Sequence, residues 1–102
     1  MPDGGSDRSW TFLTNHAHVL LAIAKTPDLR LSDIASLVGI TERTATQIVS
    51  DLEEAGYVRR FREGRRNRYE IQPDHRLRHP LEEHHRVDSL LGALEHESPR
   101  GL

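Results

Sequence analysis

The order of apolar and polar positions predicts a mainly α-helical chain with one small β-hairpin. Apolar residues recur at helical spacing in four stretches, and two β-prone runs, 57–62 and 67–71, flank a turn that contains Gly64. The first three predicted helices start after Thr14, at Ser32 and after Thr41, and end near residues 25, 38 and 55. A fourth helix is predicted from Pro80 to residue 94 or 97, because proline suits the first helical position.

Short polar side chains and glycines mark where these helices begin and end. Thr14, Ser32 and Thr41 are expected to cap N-termini, because their hydroxyls accept a hydrogen bond from a backbone N–H in the first turn. Gly39 and Gly56 follow the second and third helices, where a residue in the left-handed conformation often ends a helix. These signals place a tight glycine turn between the second and third helices.

The spacing of apolar residues also predicts which positions are buried. The expected core positions are Leu13, Ala17, Leu20, Leu21 and Ala24 in the first helix, Ile34, Leu37 and Val38 in the second, and Ala45, Ile48, Val49, Leu52 and Ala55 in the third. In the hairpin, Tyr69 and Ile71 share one face of the second strand. Val58 and Phe61 differ in parity along the first strand, so one of them is expected to lie off the core.

The composition fits one small intracellular domain. The 102 residues are 35% hydrophobic and 29% charged, and the absence of cysteine excludes disulfides, thiolate zinc sites and cysteine nucleophiles. The longest apolar run is six residues, 19–24, whereas a membrane span needs about 20. No membrane association is therefore expected, and the opening residues lack a signal-peptide pattern. The predicted location is the cytoplasm.

Charge is distributed unevenly along the chain. The formal net charge is −2, but residues 59–68 contain six arginines and one acidic residue, Glu63. Residues 82–97 contain five acidic residues and one arginine. A basic block of this kind favours an anionic partner, and for nucleic-acid binding the local pattern matters more than the total.

A helix, a short helix, a glycine turn, a longer helix and a hairpin follow one another in the order of a winged helix-turn-helix. The sequence resembles the MarR-like transcriptional regulators of bacteria and, more distantly, ArsR-like repressors. The resemblance spans about residues 12–94. The segments that carry it are Asp33-Ile34-Ala35, Gly39-Ile40-Thr41, the run DLEEAGYV at 51–58, and Gly64-Arg65-Arg66-Asn67.

The resemblance implies a winged helix-turn-helix with a C-terminal dimerisation helix. It also implies a homodimer that binds a pseudo-palindromic operator in double-stranded DNA, most often as a repressor. The corresponding division of the chain is a disordered lead-in at 1–9, a DNA-binding domain at 10–78, a dimerisation helix at 79–97 and a flexible tail at 98–102. MarR proteins carry a longer N-terminal helical segment than this sequence does, so a small-molecule effector stays unknown.

Two groups of residues are predicted to contact DNA. By position in the resemblance, the recognition helix would present Thr41, Arg43, Thr44, Thr46 and Gln47, with Arg43 suited to guanine and Gln47 to adenine. The wing would place Arg62, Arg65, Arg66, Asn67 and Arg68 on phosphates or in the minor groove. Solvated helix faces and charged edge strands also have such compositions. Because the fold alone does not determine the function, the alternative is a winged-helix adaptor whose arginine hairpin binds an acidic protein.

The last helix is predicted to form the dimer contact. His84, Val87, Leu91 and Leu94 have the 3–4–3 spacing of a coiled-coil seam, and the full predicted interface is Leu81, His84, Val87, Leu90, Leu91 and Leu94. The same stripe can instead fold back on the first helix, or different faces of the helix can do both. Trp10 and Phe12 are available to cover either surface.

Neither the spacing of the histidines nor the sequence motifs indicate a metal site or an enzyme. Seven histidines occur, at 16, 18, 75, 79, 84, 85 and 96, but their spacing does not favour a ligand set, so no metal and no cofactor are expected. The sequence has no GxxxxGK, GxSxG or HExxH motif, and the chain is not expected to be an enzyme.

Overall fold

The computed structural model describes residues 10–95, which form four helices and a two-stranded antiparallel hairpin. In chain order the elements are α1 (Asn15–Lys25), α2 (Leu31–Val38), α3 (Glu42–Ala55), β1 (Val58–Glu63), β2 (Arg66–Ile71) and α4 (Val87–Glu95). This arrangement confirms the mainly α winged helix-turn-helix. The predicted lead-in at 1–9 and tail at 98–102 lie outside the described residues.

Helix α1 is the centre of the core. It contacts α2, α3, α4 and β2, and its fully buried residues are Val19, Leu20, Ala22 and Ile23. Of the stripe predicted for α1, only Leu20 is fully buried, and the other four positions are half-buried. The buried side of α1 was wrongly predicted, because every residue from 19 to 24 is apolar and the spacing alone does not select one side of the helix. Packing from several directions, and not helical periodicity, decides which of them are covered.

The turn between α2 and α3 is built from local signals. Gly39 has a left-handed φ of +86°, and the backbone N–H groups of Gly39 and Ile40 both donate to the carbonyl of Ala35, at 2.8 and 3.0 Å. Thr41 then caps α3, as predicted. The sharp change of direction therefore needs no contact from elsewhere in the chain.

Two details of α2 correct the sequence prediction. The N-cap is Arg30, two residues before the predicted Ser32, and the Asp33 carboxylate accepts the Arg30 backbone N–H at 3.2 Å. Leu37 is exposed rather than buried. It lies at the edge of the covered strip formed by Ile34 and Ala35, beside a small surface hollow.

The hairpin follows α3 directly. Its register pairs Val58 with Ile71 and Arg62 with Asn67, which leaves Gly64 and Arg65 as a two-residue turn. Gly64 has a φ of +62°, the positive value that primed hairpin turns require at this position. Val58 is 2% exposed and Phe61 36%, so Phe61 is the residue that lies off the core.

Residues 72–86 form a hydrogen-bonded loop instead of the start of a helix. The backbone N–H of Leu77 donates to the carbonyl of His85 at 3.0 Å. The backbone N–H of Val87 donates to the carbonyl of His75 at 2.8 Å. These two bonds hold the two sides of the loop together as an isolated antiparallel bridge.

The predicted start of the last helix was therefore wrong, because α4 begins at Val87 and not at Pro80. Leu81 and His84 lie in the turns before it, so the proposed seam is not one continuous helical stripe. Val87 and Leu91 are 0% and 5% exposed in the core of the same chain. The core side of α4 thus packs on its own chain, which is the alternative to a dimer contact that the sequence left open.

Candidate nucleic-acid interface

Helix α3 separates a core side from an exposed side. Its buried residues are Ala45, Ile48, Val49 and Leu52. The predicted DNA-contacting residues, here called the recognition face, are all exposed: Thr41, Arg43, Thr44, Thr46 and Gln47. The packing of the core side therefore fixes which side chains the first half of α3 presents to solvent.

Hydroxyl groups organise the start of this face. The Thr41 hydroxyl accepts the Thr44 backbone N–H at 3.0 Å and donates to the Thr44 hydroxyl at 2.9 Å. The Thr46 hydroxyl donates to the Glu42 carbonyl at 2.9 Å. Each threonine is therefore engaged within α3 or its cap. Arg43 and Gln47 are left as the side chains with the longest reach.

Gln47 is held by a second residue of the same helix. Its Nε2 donates to Asp51 Oδ1 at 3.0 Å, and the other carboxylate oxygen, Oδ2, lies 2.9 Å from Nε2 of His16 in α1. These hydrogen bonds, first that from His16 and then that from Gln47, hold the pKa of Asp51 below its ordinary value. Two side-chain hydrogen bonds, from His16 to Asp51 and from Gln47 to Asp51, therefore connect α1 to the recognition face.

The sequence did not predict that His16 and Asp51 would hold Gln47 through hydrogen bonds. The four-residue spacing of Gln47 and Asp51 does predict contact between them, because residues four apart are neighbours on a helix surface. Nothing in the sequence joins His16 to Asp51, which is 35 positions away.

The wing carries its arginines in different situations. Arg65 is exposed in the turn, and Arg62 Nε donates to the Gly64 carbonyl at 3.2 Å. Arg66 donates to the carbonyl of Asp28, in the loop between α1 and α2. Arg68 lies 3.8 Å from Glu63, and its Nε is buried without a hydrogen-bond partner among residues 10–95. Asn67 is half-buried beside its cross-strand neighbour.

The wing is tied to the helices at two points. One is the bond from Arg66 to the α1–α2 loop. The other is an ion pair in which Arg60 Nε of β1 lies 3.4 Å from Glu53 of α3. Exposed ion pairs add little stability, but together these contacts orient the hairpin relative to α3.

An open apolar groove of about 1090 Å³ lies on another side of the molecule. It is bounded by the start of α1, the end of α3 and the loop before α4, and His16 and Asp51 line it together with Leu20, Tyr57 and Leu90. Two large apolar side chains that line it are exposed, Phe12 (93%) and Leu81 (80%), and Trp10 (71%) and Leu94 (40%) are exposed outside its lining. Trp10 and Phe12 pack edge to face on each other, with ring centroids 5.3 Å apart.

The predicted interface residues divide between core and surface. Val87 and Leu91 are buried within the chain, and Leu90 is half-buried. Leu81, His84 and Leu94 are exposed. Within the single chain, Leu81, His84, Leu94 and part of Leu90 are therefore the predicted interface positions that remain exposed.

Within residues 10–95, no three His, Asp or Glu side chains come together in a way that would hold a metal ion. Within the same range, no helix has the length and apolar character needed to cross a bilayer.

The geometry defines a winged helix-turn-helix protein whose recognition helix and wing present polar and basic side chains to solvent. The family model for the MarR family matches residues 11–67, more than half of the sequence, and the chain belongs to the MarR family. Members of this family are DNA-binding transcriptional regulators and not enzymes. A comparison with curated proteins gives no match. The matched range ends within β2, so α4 and the loop before it lie outside it.

Proposed function

We propose that the chain binds a pseudo-palindromic operator in double-stranded DNA as a homodimer and represses transcription. The recognition face of α3 would lie in the major groove, and the wing would contact phosphates or the minor groove. The observation that carries this proposal is the exposure of all five predicted recognition residues on the side of α3 opposite its buried residues. A repressor of this kind would act in the cytoplasm on the nucleoid.

Base reading is assigned to the two long side chains of the recognition face. Arg43 has two N–H groups suited to the O6 and N7 acceptors of guanine, and Gln47 has a carbonyl and an amide N–H suited to adenine. A good bidentate contact discriminates between bases by about 1–3 kcal/mol. Glu42 opens the same helix and repels phosphate, which favours a groove approach that keeps the start of α3 off the backbone.

Phosphate contacts are assigned to the wing. With about 6–10 phosphate contacts in a dimer, the logarithm of the binding constant should fall with the logarithm of salt concentration with a slope of about −5 to −9. Arg65 is the best single test, because it is exposed in the turn and its side chain forms no hydrogen bond or ion pair within residues 10–95. Arg66 also holds the Asp28 carbonyl, so changing it would affect hairpin orientation as well.

The dimer is assigned to the exposed apolar surface near the groove. Phe12 and Leu81 are exposed and line the groove, Trp10 packs on Phe12, and Leu94 is exposed on α4. Exposed apolar side chains of this kind favour association. Two-fold symmetry in the protein would match two half-sites about one helical turn apart. Sedimentation at micromolar concentration should therefore give twice the mass of one chain, and a monomer would contradict this part of the proposal.

Selection of bound duplexes from a random DNA pool tests the proposal as a whole. At about 150 mM salt, where nonspecific binding is weak, we expect an enriched inverted repeat with half-sites about one turn apart. A folded protein that enriches no sequence would contradict operator binding. It would then favour the adaptor function, in which the arginine hairpin binds an acidic protein.

Two arginine variants separate the assigned roles. Arg43→Ala should relax the preference at one base pair of each half-site. Arg65→Ala should weaken binding to all sequences and reduce the salt slope by about one for each wing. Lys25→Ala removes the same charge from an exposed position at the end of α1, outside the recognition face, the wing and the groove, and should do neither. Equal effects of all three would show that net charge alone governs binding.

A further inference from the structure

The side-chain amide of Gln47 is oriented before any partner binds. An ionised carboxylate can only accept hydrogen bonds, so the atom of Gln47 that faces Asp51 must be Nε2 and not the carbonyl oxygen. The two residues are four apart on α3, which brings their side chains together on one face. Gln47 therefore offers outward its carbonyl oxygen and one remaining N–H.

His16 restricts the carboxylate in turn. Its Nε2 lies 2.9 Å from Oδ2, while Gln47 uses Oδ1, so each oxygen of Asp51 has its own donor. The His16 and Asp51 side chains are 46% and 42% exposed, and a pair at that exposure adds little stability. Its effect is geometric, because rotation of the carboxylate would break one bond or the other.

This arrangement has a consequence for base choice. Guanine presents two acceptors in the major groove, N7 and O6, whereas adenine presents the acceptor N7 and the donor N6–H. A glutamine with one N–H already bound to a carboxylate has one donor and one acceptor to offer, which matches adenine and not guanine. A glutamine whose amide rotates freely can turn both N–H groups towards guanine.

We propose that Asp51, held by His16, is a specificity-determining residue that makes Gln47 prefer adenine over guanine without itself touching a base. The inference rests on the proposed function, because it requires Gln47 to face DNA. It assigns to His16 and Asp51, which line the groove, an effect on the recognition face.

The test measures base preference separately from affinity. Once duplex selection has given the operator, binding of Gln47→Ala to duplexes varied at each position identifies the base pair that Gln47 reads. Asp51→Asn is then compared with the wild-type chain on adenine and guanine duplexes at that position. The amide that this substitution introduces can accept or donate, so it no longer dictates which end of the Gln47 amide faces it.

We expect Asp51→Asn to reduce the preference for adenine over guanine by roughly threefold to tenfold, part of what a bidentate contact supplies. His16→Ala should lower the preference in the same direction and by less. Glu54→Gln is the matched control, because it removes the same charge from an exposed position of α3 and makes no contact with Gln47. Asp51→Ala, which leaves no partner for the amide, should act at least as strongly as Asp51→Asn.

The outcomes distinguish this inference from the function on which it rests. If Gln47→Ala relaxes one base pair and both Asp51 variants keep the wild-type preference, the inference is overturned and operator binding stands. If Gln47→Ala relaxes no base pair, the inference and the contact assigned to Gln47 both fail, although an enriched inverted repeat would still support the regulator. If no sequence is enriched at all, the proposed function fails and takes the inference with it.

Discussion

The helix-turn-helix at residues 31–56 and the C-terminal segment at 72–95 follow different rules. The first is closed by bonds between near neighbours, such as those from Gly39 and Ile40 to Ala35. The second is closed by bonds across the chain, such as the one from the Tyr57 hydroxyl to the Arg76 carbonyl at 2.7 Å. In the first, the helices and the glycine turn lie where the sequence predicts them, apart from the N-cap of α2. In the second, residues 80–84 form turns where the sequence predicts the start of α4.

The difference shows where the information for each region lies. A cap or a left-handed glycine acts on its own turn of helix, so the surrounding sequence is enough to specify it. The loop before α4 is closed by the bonds from Leu77 to His85 and from Val87 to His75, and helix formation from Pro80 would break both. The region proposed to contact DNA is thus built locally, whereas the region beside the groove depends on contacts between distant parts of the chain.

Leu91→Ala gives the largest expected effect and tests whether α4 belongs to the core. Leu91 is 5% exposed, so its truncation should lower the free energy of unfolding by about 2–5 kcal/mol. Leu94→Ala, three residues on and 40% exposed, should cost well under half as much. Denaturant unfolding at low protein concentration measures both. Equal losses would mean that α4 does not pack as described.

Two glycine variants compare the local and the long-range region directly. Gly39→Ala and Gly56→Ala both place a side chain at a φ near +90°, which costs about 1–2 kcal/mol. Only at Gly56 would the new Cβ meet a neighbour, the His75 ring at 3.2 Å. Gly56→Ala should therefore be the more destabilising by about 1 kcal/mol, at the low end for overpacking because the exposed ring can move.

A thermal unfolding series that adds His75→Ala alone and with Gly56→Ala provides the control. Removing the ring should bring the cost of Gly56→Ala down to that of Gly39→Ala. If the two glycine variants already cost the same, the loop before α4 does not press on the end of α3, and the contrast between the regions weakens.

Tyr57→Phe isolates the bond that anchors the C-terminal segment. It removes the hydroxyl that donates to the Arg76 carbonyl and should cost about 0.5–1.5 kcal/mol. Tyr69→Phe is a matched control, since Tyr69 is also buried and its hydroxyl forms no hydrogen bond within residues 10–95. Amide hydrogen exchange should show faster opening of residues near the Arg76–Arg86 bridge in Tyr57→Phe only. Unchanged protection there would contradict the anchoring role.

The sequence predicted most of the fold and the members of the recognition face, but not how they are held. The α3 assignment succeeded because one strongly amphipathic pattern and a Thr cap agree. The burial of α1 was wrongly predicted because several elements pack on it, and the start of α4 was wrongly predicted because hydrogen bonds across the preceding loop replace the first turns of helix. The Gln47 amide could not be oriented from sequence either, since its conformation depends on His16 from a different helix.

The smallest expected effect is the shift in the pKa of Asp51. This pKa probes the hydrogen bond by which His16 of α1 reaches the helix-turn-helix. Its pKa should lie below the ordinary value of 3.8, mainly because His16 donates to the carboxylate and secondly because Gln47 does. A lowered pKa in the folded chain contributes stability that is present above pH 3.8 and is lost as the pH falls through the folded value. NMR titration of the carboxyl carbon measures the shift, and His16→Ala should move the pKa back towards 3.8. An ordinary pKa in the wild-type chain, or a shift that His16→Ala leaves unchanged, would show that α1 does not hold Asp51, and the recognition face would then depend on α3 alone.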